Sequence, residues 1–147
     1  MKKYVVMILT LVLCVCGCQT SSEITLTGLQ KKVADAGEIL AQEETDQGIF
    51  VLYTLGEKYG IAVYKNGEYQ GGTSGGGADS RACLMMYQKL VLYGGNESHK
   101  VDSVEVIWDS DDFTAHDITG DYIFYVIDCD SESVPEITYF DADENEV

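Results

Sequence analysis

Short hydrophobic runs separated by Gly, Asn and Asp turns recur along most of the chain. Residues 49–53, Ile-Phe-Val-Leu-Tyr, are apolar at every position and predict a central strand that is buried on both faces. Val104, Val106 and Trp108 instead alternate with other side chains, which is typical of a half-buried strand with the tryptophan inward. Further strands are predicted at residues 59–64, 82–87, 90–93, 122–127 and 136–140, although part of 80–93 also fits a helix.

The strongest local signal is Asn66-Gly67, which follows the predicted strand 59–64. A two-residue type I′ turn needs positive φ at both central positions, and Asn-Gly meets that need best. Such a turn places Tyr64 opposite Tyr69, so the two rings are expected to form a close cross-strand pair. The Gly-rich residues 73–77 that follow lack the Gly-Lys-Ser/Thr of a phosphate-binding loop and are interpreted as a flexible connector.

Near the start of the domain the spacing changes to that of a helix. Thr27 precedes Gln30 by three residues, as in a capping box, and the apolar residues that follow fall on one helical face. Those residues are Leu29, Val33, Ala36 and Leu40. Residues 38–45 also fit an edge strand, because Gly37 disfavours continuing the helix. Together the patterns predict an α+β fold, with one N-terminal helix and a mainly antiparallel, meander or barrel-like sheet of about seven short strands.

The first 18 residues have a different organisation. Lys2 and Lys3 precede 13 uncharged residues, 4–16, which as a helix would reach only about 20 Å of the ~30 Å hydrocarbon core. This pattern is that of a secretory signal peptide. Val15-Cys16-Gly17-Cys18 also resembles the lipobox of bacterial lipoproteins, in which an aliphatic and two small residues precede a cysteine that is acylated and becomes the new N-terminus.

The resemblance implies that Cys18 carries the lipid, since Cys16 would follow the bulky Val15 directly. The expected organisation is a lipoprotein signal peptide at 1–17, a tether at 18–27 and a single globular domain at 28–147. The expected location is the extracytoplasmic side of the cell membrane, held by an acyl chain such as palmitate. An ordinary signal peptide that happens to contain cysteines is the alternative.

The net charge of the mature domain limits which classes of partner it is expected to bind. It keeps 7 basic and all 25 acidic residues, a formal charge of −18, and from Glu97 onward there are 16 acidic residues against one lysine, Lys100. Such a field repels phosphate backbones, so nucleic acid is not an expected partner. Expected partners are the membrane, through the lipid anchor, and an unidentified envelope ligand or protein; no cofactor is expected.

The mature domain retains two cysteines beyond Cys18, namely Cys83 and Cys129. In an exported domain these thiols either form a disulfide or remain as two buried free thiols, and the sequence fits both arrangements equally. Cys83 lies within an apolar strand beside Leu84 and Met85, and Cys129 closes a strand, so each is interpreted as a core residue or half of a disulfide rather than as an activated thiolate.

Two sets of residues are candidates for binding. The ring faces of Tyr64 and Tyr69 form a potential stacking surface, although such a pair more often only stabilises its hairpin. Asp109, Asp111, Asp112 and Asp121 flank two predicted strands whose antiparallel pairing would gather the four carboxylates at one end. Carboxylates suit a hard cation such as Ca²⁺, whereas a solvated acidic loop needs no cation.

Two functions follow as expectations. The first is a non-enzymatic lipoprotein module that binds or shields a ligand at the outer face of the membrane. The second is a small envelope hydrolase that uses carboxylates or a bound divalent cation. A deep site with two converging carboxylates of raised pKa would favour the hydrolase.

Overall fold

The computed structural model of the protein describes residues 23–147. The predicted signal peptide, Cys16 and Cys18 lie outside the described residues, and so does the first half of the predicted tether, residues 18–22. The part of the chain that the structure describes contains no helix with the length and apolar character needed to cross a bilayer.

One helix and ten strands make up the described chain. They are α1 (Leu26–Gln30), β1 (Ile39–Thr45), β2 (Gly48–Leu55), β3 (Lys58–Lys65), β4 (Glu68–Gly75), β5 (Arg81–Met86), β6 (Lys89–Gly95), β7 (Ser103–Trp108), β8 (Asp111–Ala115), β9 (Tyr122–Asp128) and β10 (Glu136–Phe140). The strands form three antiparallel sheets: sheet A in the order β1-β2-β3-β4, sheet B in the order β5-β6-β9, and sheet C in the order β10-β7-β8.

The predicted α+β fold with one sheet of about seven strands is therefore wrong. Strands account for 54% of the structure and the helix for only 4%, and within residues 23–147 no sheet closes into a barrel. The error has a physical origin. A short hydrophobic run shows that a strand exists but not which sheet it joins, because sheet membership depends on contacts between residues far apart in sequence.

The sheets stack with sheet B in the middle. Val91 and Tyr93 of β6 pack into one core with Phe50 and Ile61 of sheet A. Their neighbours Leu90 and Leu92 point the other way, into a second core with Val104 and Val106 of sheet C. All seven residues of β6 are buried, as expected of the central strand of a middle layer. A third, smaller core lies on the outer face of sheet A, beneath α1.

The β3–β4 hairpin confirms the prediction made from Asn66-Gly67. Both residues have positive φ, 53° and 78°, and Tyr64 pairs with Tyr69. Beyond this pair the register shifts, because Val63 lies opposite Gly71 and Gln70 is the extra residue of a bulge. β4 then continues to Gly75, through residues that were expected to form a connector. A side chain at Gly72 would collide with the backbone of Ile61, so close strand approach explains a glycine there.

The predicted helix beyond Gly28 is wrong in extent. α1 ends at Gln30, and its N-cap is Thr25, whose Oγ1 accepts a 3.1 Å hydrogen bond from the Gly28 amide. The chain then turns, and residues 39–45 form the edge strand β1 that the sequence offered as the alternative. Gly37 marks the change, because its amide donates to the Thr54 carbonyl of β2 and thereby joins the sheet.

The expected loop between residues 109 and 120 contains β8, which the sequence did not predict. Only Phe113 and Ala115 of this strand pack against the core between sheets B and C. The other residues of β8 are polar, so the sequence shows too little alternation of apolar and polar positions to predict a strand. Strand 104–108 was expected to pair with strand 122–127, but β7 pairs with β8 and β10, and β9 pairs with β6.

The stacked arrangement predicts a large cost for truncating the middle strand. Leu92→Ala removes a fully buried side chain of β6 and should lower the free energy of unfolding by about 2–5 kcal/mol. Ile107→Ala on β7, where the side chain is 44% exposed, is the control and should cost less than about 1 kcal/mol. Urea unfolding measures both values; equal costs would contradict the assignment of β6 to the middle layer.

Candidate functional site

A cleft lies between the start of the described chain and the β3–β4 hairpin, and we call it the tyrosine cleft. Its volume is about 670 Å³. It is lined by Glu23, Ile24, Thr25, Gly28, Lys31, Lys32, Tyr64, Gly67, Glu68 and Tyr69. The structure thus places both tyrosines that the sequence singled out in one concave site, and adds charged residues from a segment more than 30 positions earlier.

The N-terminal wall of the cleft is held by specific contacts. The Ile24 amide donates to Gln42 Oε1 at 2.9 Å, and Gln42 Nε2 donates back to the Ile24 carbonyl at 2.8 Å. Leu29 is fully buried against sheet A, which fixes α1 over the strands. This wall is therefore attached to the sheet by two hydrogen bonds between the Ile24 backbone and the Gln42 side chain, and by the buried Leu29.

Tyr64 is unusual in this cleft because its hydroxyl has no partner. The residue is only 6% exposed, and among the described residues Tyr64 Oη is the one buried side-chain polar atom without a hydrogen bond. The ring of Tyr69 meets it edge to face, with centroids 5.6 Å apart. Burial, followed by the neighbouring Tyr69, raises the pKa of Tyr64, so the hydroxyl stays protonated and retains a proton to donate.

The charges of the cleft come from four exposed side chains. Lys31 and Lys32 follow α1, while Glu23 precedes it and Glu68 belongs to β4. Neither lysine forms an ion pair with any residue in the described range 23–147. The cleft therefore presents two ammonium groups and two carboxylates beside an aromatic ring, a combination that suits a ligand carrying both signs of charge.

A second cleft, which we call the acidic cleft, lies where β6 begins and β9 ends. It measures about 530 Å³ and is lined by Asp46, Gln47, Tyr87, Gln88, Lys89, Trp108, Asp111, Asp112, Asp128, Cys129 and Asp130. Lys89 is only 7% exposed, and its Nζ contacts Asp46 at 2.7 Å and also Asp128. Asp46 lies in the β1–β2 turn of sheet A and Asp128 on β9 of sheet B, so this lysine connects two sheets.

Asp46, one of the carboxylates of the acidic cleft, does not have the raised pKa of a general acid. Its pKa is lowered, first by the hydrogen bond from Lys89 and then by that from Gln47, whereas acid catalysis near neutral pH needs a raised pKa. Burial raises the pKa of Glu43, but this residue lies on β1 and lines neither cleft. No specific observation therefore favours the hydrolase.

The four aspartates suggested as a cation site are not brought together. Asp111 and Asp112 line the acidic cleft, and Asp109 occupies the β7–β8 turn. Asp121 lies at the opposite end of β9, about 23 Å along the strand from Asp128, where it contacts His99 Nε2 at 3.1 Å. Within residues 23–147 no group of three or more His, Cys, Asp or Glu side chains has an arrangement that would hold a metal ion.

Cys83 lies on β5 and Cys129 directly follows β9, the two outer strands of sheet B, and neither forms a disulfide within residues 23–147. Cys83 pairs with Leu92, whereas Cys129 follows Asp128, which pairs with Lys89. The pairing places the two cysteines about 13 Å apart along the strands and about 10 Å across them, and a disulfide needs Cα atoms within about 7 Å. Cys83 is also exposed while Cys129 is buried, so the structure does not bring the two thiols together.

Sequence reasoning missed Lys31, Lys32 and Lys89. The first two are adjacent on a polar segment, and only the fold places that segment over the tyrosines. Lys89 did carry a signal, because it is a lone charge within the largely apolar residues 82–93. A charged residue inside a buried strand implies nearby partners of opposite sign.

No protein-family model, no curated protein and no solved structure matches this chain.

The unpartnered hydroxyl predicts an asymmetry between two tyrosines of β3. Tyr64→Phe removes a polar atom that has no hydrogen bond, so the free energy of unfolding should stay unchanged or rise by up to about 1–3 kcal/mol. Tyr59→Phe is the matched control, because Tyr59 Oη donates to Glu97 Oε1 at 3.3 Å, and its loss should cost about 0.5–1.5 kcal/mol. Equal losses by denaturant unfolding would show that the Tyr64 hydroxyl is satisfied in solution.

The contacts of Lys89 predict that Lys89→Met is less stable than the unaltered protein, and that this difference disappears at low and at high pH. The pKa of Asp46 is lowered by Lys89, and that of Lys89 is raised, first by Asp128 and then by Asp46. Lys89→Met should therefore unfold more easily than the unaltered protein near neutral pH. The difference should shrink as pH falls through the lowered pKa of Asp46, below its usual 3.8, and as pH rises through the raised pKa of Lys89, above its usual 10.5.

Urea unfolding from pH 3 to pH 11 measures this difference, with the exposed Lys58→Met as the control for loss of a positive charge. A gap between Lys89→Met and the unaltered protein that stays constant over the whole pH range would contradict an ionic origin.

Proposed function

We propose that the protein is a lipid-anchored lipoprotein of the cell envelope that binds a ligand in the tyrosine cleft without catalysing a reaction. The lipid is attached at Cys18, and the domain lies on the extracytoplasmic side of the membrane. Support for the anchor comes from the signal-peptide pattern and from Val15-Cys16-Gly17-Cys18, which resembles a lipobox.

The observation that carries the binding proposal is the buried, unpartnered hydroxyl of Tyr64. Burying a hydroxyl without a hydrogen bond costs about 1–3 kcal/mol, and a phenylalanine would fill the same space without that cost. The hydroxyl belongs to a residue that lines a cleft, next to the half-buried ring of Tyr69. A ligand that displaces this ring reaches the hydroxyl and supplies the missing partner.

The rest of the cleft is consistent with binding. A concave site with an apolar floor and a few polar groups at its rim is the usual form of a small-ligand site. Ile24 and Tyr69 provide apolar surface, and Lys31, Lys32 and Glu68 provide charges around it. The wall that carries the lysines is attached to sheet A through Gln42 and Leu29, so this wall is in place before a ligand arrives and the Tyr69 ring is the part that moves.

The anchor is tested by changing the two adjacent candidate cysteines separately. Cys18→Ala removes the thiol that is acylated, so the protein should leave the membrane fraction or accumulate as an unprocessed precursor without incorporating labelled palmitate. Cys16→Ala is the matched control and should leave both acylation and membrane association unchanged. Palmitate incorporation by the Cys18→Ala protein, or its loss in the Cys16→Ala protein, would contradict the assignment of the lipid to Cys18.

A further inference from the structure

We infer that the ligand of the tyrosine cleft is the zwitterionic phosphoethanolamine headgroup of a membrane lipid. The inference rests on the proposed function, because the lipid at Cys18 is what holds the cleft next to the bilayer. It names a ligand class in which a phosphate and a primary ammonium group are joined by two carbons.

The first step is the distance from the anchor. Glu23 lines the cleft and lies five residues after Cys18. Five residues span at most about 18 Å even when fully extended. Ile24 is in turn fixed to β1 through its two hydrogen bonds with Gln42. An anchored protein therefore holds this cleft within reach of lipid headgroups.

The second step is the match of charges. Lys31 and Lys32 offer ammonium groups to a phosphate, and Glu23 and Glu68 offer carboxylates to a primary ammonium group. The exposed part of the Tyr69 ring attracts the same ammonium group through its π face. A purely anionic headgroup would be attracted by the two lysines but repelled by the two carboxylates.

The third step concerns the acidic remainder of the protein. Of the 25 acidic residues, 16 lie from Glu97 onward, in the part of the chain that forms β7, β8, β9 and β10. Sheet C, which holds three of these strands, lies two sheet spacings from sheet A, about 20 Å. That separation exceeds twice the Debye length of about 8 Å at physiological ionic strength. The charges of sheet C therefore contribute little at this face, where the charges of the cleft act together with those of nearby residues such as Glu44, which lines a smaller cavity with Glu23.

The test uses the processed, lipidated protein in vesicles of phosphatidylcholine alone, or mixed with phosphatidylglycerol or phosphatidylethanolamine. Acylation of individual lysines is followed by mass spectrometry. Lys31 and Lys32 should react about threefold more slowly in the phosphatidylethanolamine vesicles, because a group that is bound two-thirds of the time reacts at a third of its free rate. These rates are taken relative to those of the exposed Lys58 and Lys100 in the same sample, because the primary amine of phosphatidylethanolamine also consumes the acylating reagent. Lys58 and Lys100 do not line the cleft, so their rates should fall only by this common factor.

Glu68→Gln tests the carboxylate, and Glu57→Gln in the exposed β2–β3 turn is its matched control. Only the Glu68 variant should lose the difference between phosphatidylethanolamine and phosphatidylglycerol. Equal protection by both lipids in the unaltered protein would show general attraction to headgroups and overturn the inference. Protection by free phosphoethanolamine in detergent, equal to that in vesicles, would identify a soluble ligand and overturn the lipid source.

The same experiment separates the two proposals. A protein that does not float with any of the vesicles lacks a working anchor, which overturns the proposed function together with the inference that depends on it. A protein that floats with all three vesicles, but whose Lys31 and Lys32 react at one rate throughout, retains the anchor and excludes the headgroup.

Discussion

The burial of β6 on both faces is the constraint on which the rest of the structure depends. Its side chains alternate between two cores, so both faces of the strand are buried only if sheet A covers one face and sheet C covers the other. Gly95 at its end shows how close the packing is, because a Cβ there would lie 2.0 Å from the Ala78 carbonyl oxygen. Lys89 at its start is buried but contacts Asp46 and Asp128, which reach it from two different sheets.

This stacking also determines where each surface lies. The outer face of sheet A is covered by α1, and the gap that remains between α1 and the β3–β4 hairpin is the tyrosine cleft. Of the 16 acidic residues from Glu97 onward, four lie on strands of sheet C, the sheet on the far side of sheet B from this cleft: Glu105, Asp111, Asp112 and Glu136. The protein is strongly acidic as a whole, whereas the lining of the tyrosine cleft carries two lysines and two glutamates.

Local structure was predictable where a short signal decides it. Asn66-Gly67 determined the hairpin register and the Tyr64–Tyr69 pair, and the apolar residues 49–53 identified an interior strand. The number of sheets was not predictable, because an apolar run carries no information about its partners. β8 was not predicted, because the strand begins with Asp111 and Asp112 and few of its side chains are buried.

The candidate site was also predictable only where residues close in sequence form it. The tyrosine pair was predictable because its two residues flank one turn, whereas the lysines of the cleft depend on how α1 lies over sheet A. The proposed gathering of Asp109, Asp111, Asp112 and Asp121 was wrong in its premise, because it required β7 to pair with β9. A hydroxyl without a hydrogen bond, as at Tyr64, can be recognised only when every neighbour is in place.

The most direct test of the account is amide hydrogen exchange of the anchored protein on phosphatidylethanolamine-containing vesicles, compared with the same protein in detergent. The account predicts slower exchange on the vesicles in residues 23–32 and 64–69, with β7 and β8 unchanged and β6 the most protected strand in both conditions. Membrane protection centred on β7 and β8, or on no segment, would contradict the proposed orientation. Rapid exchange of β6 in detergent would contradict the stacked fold beneath it.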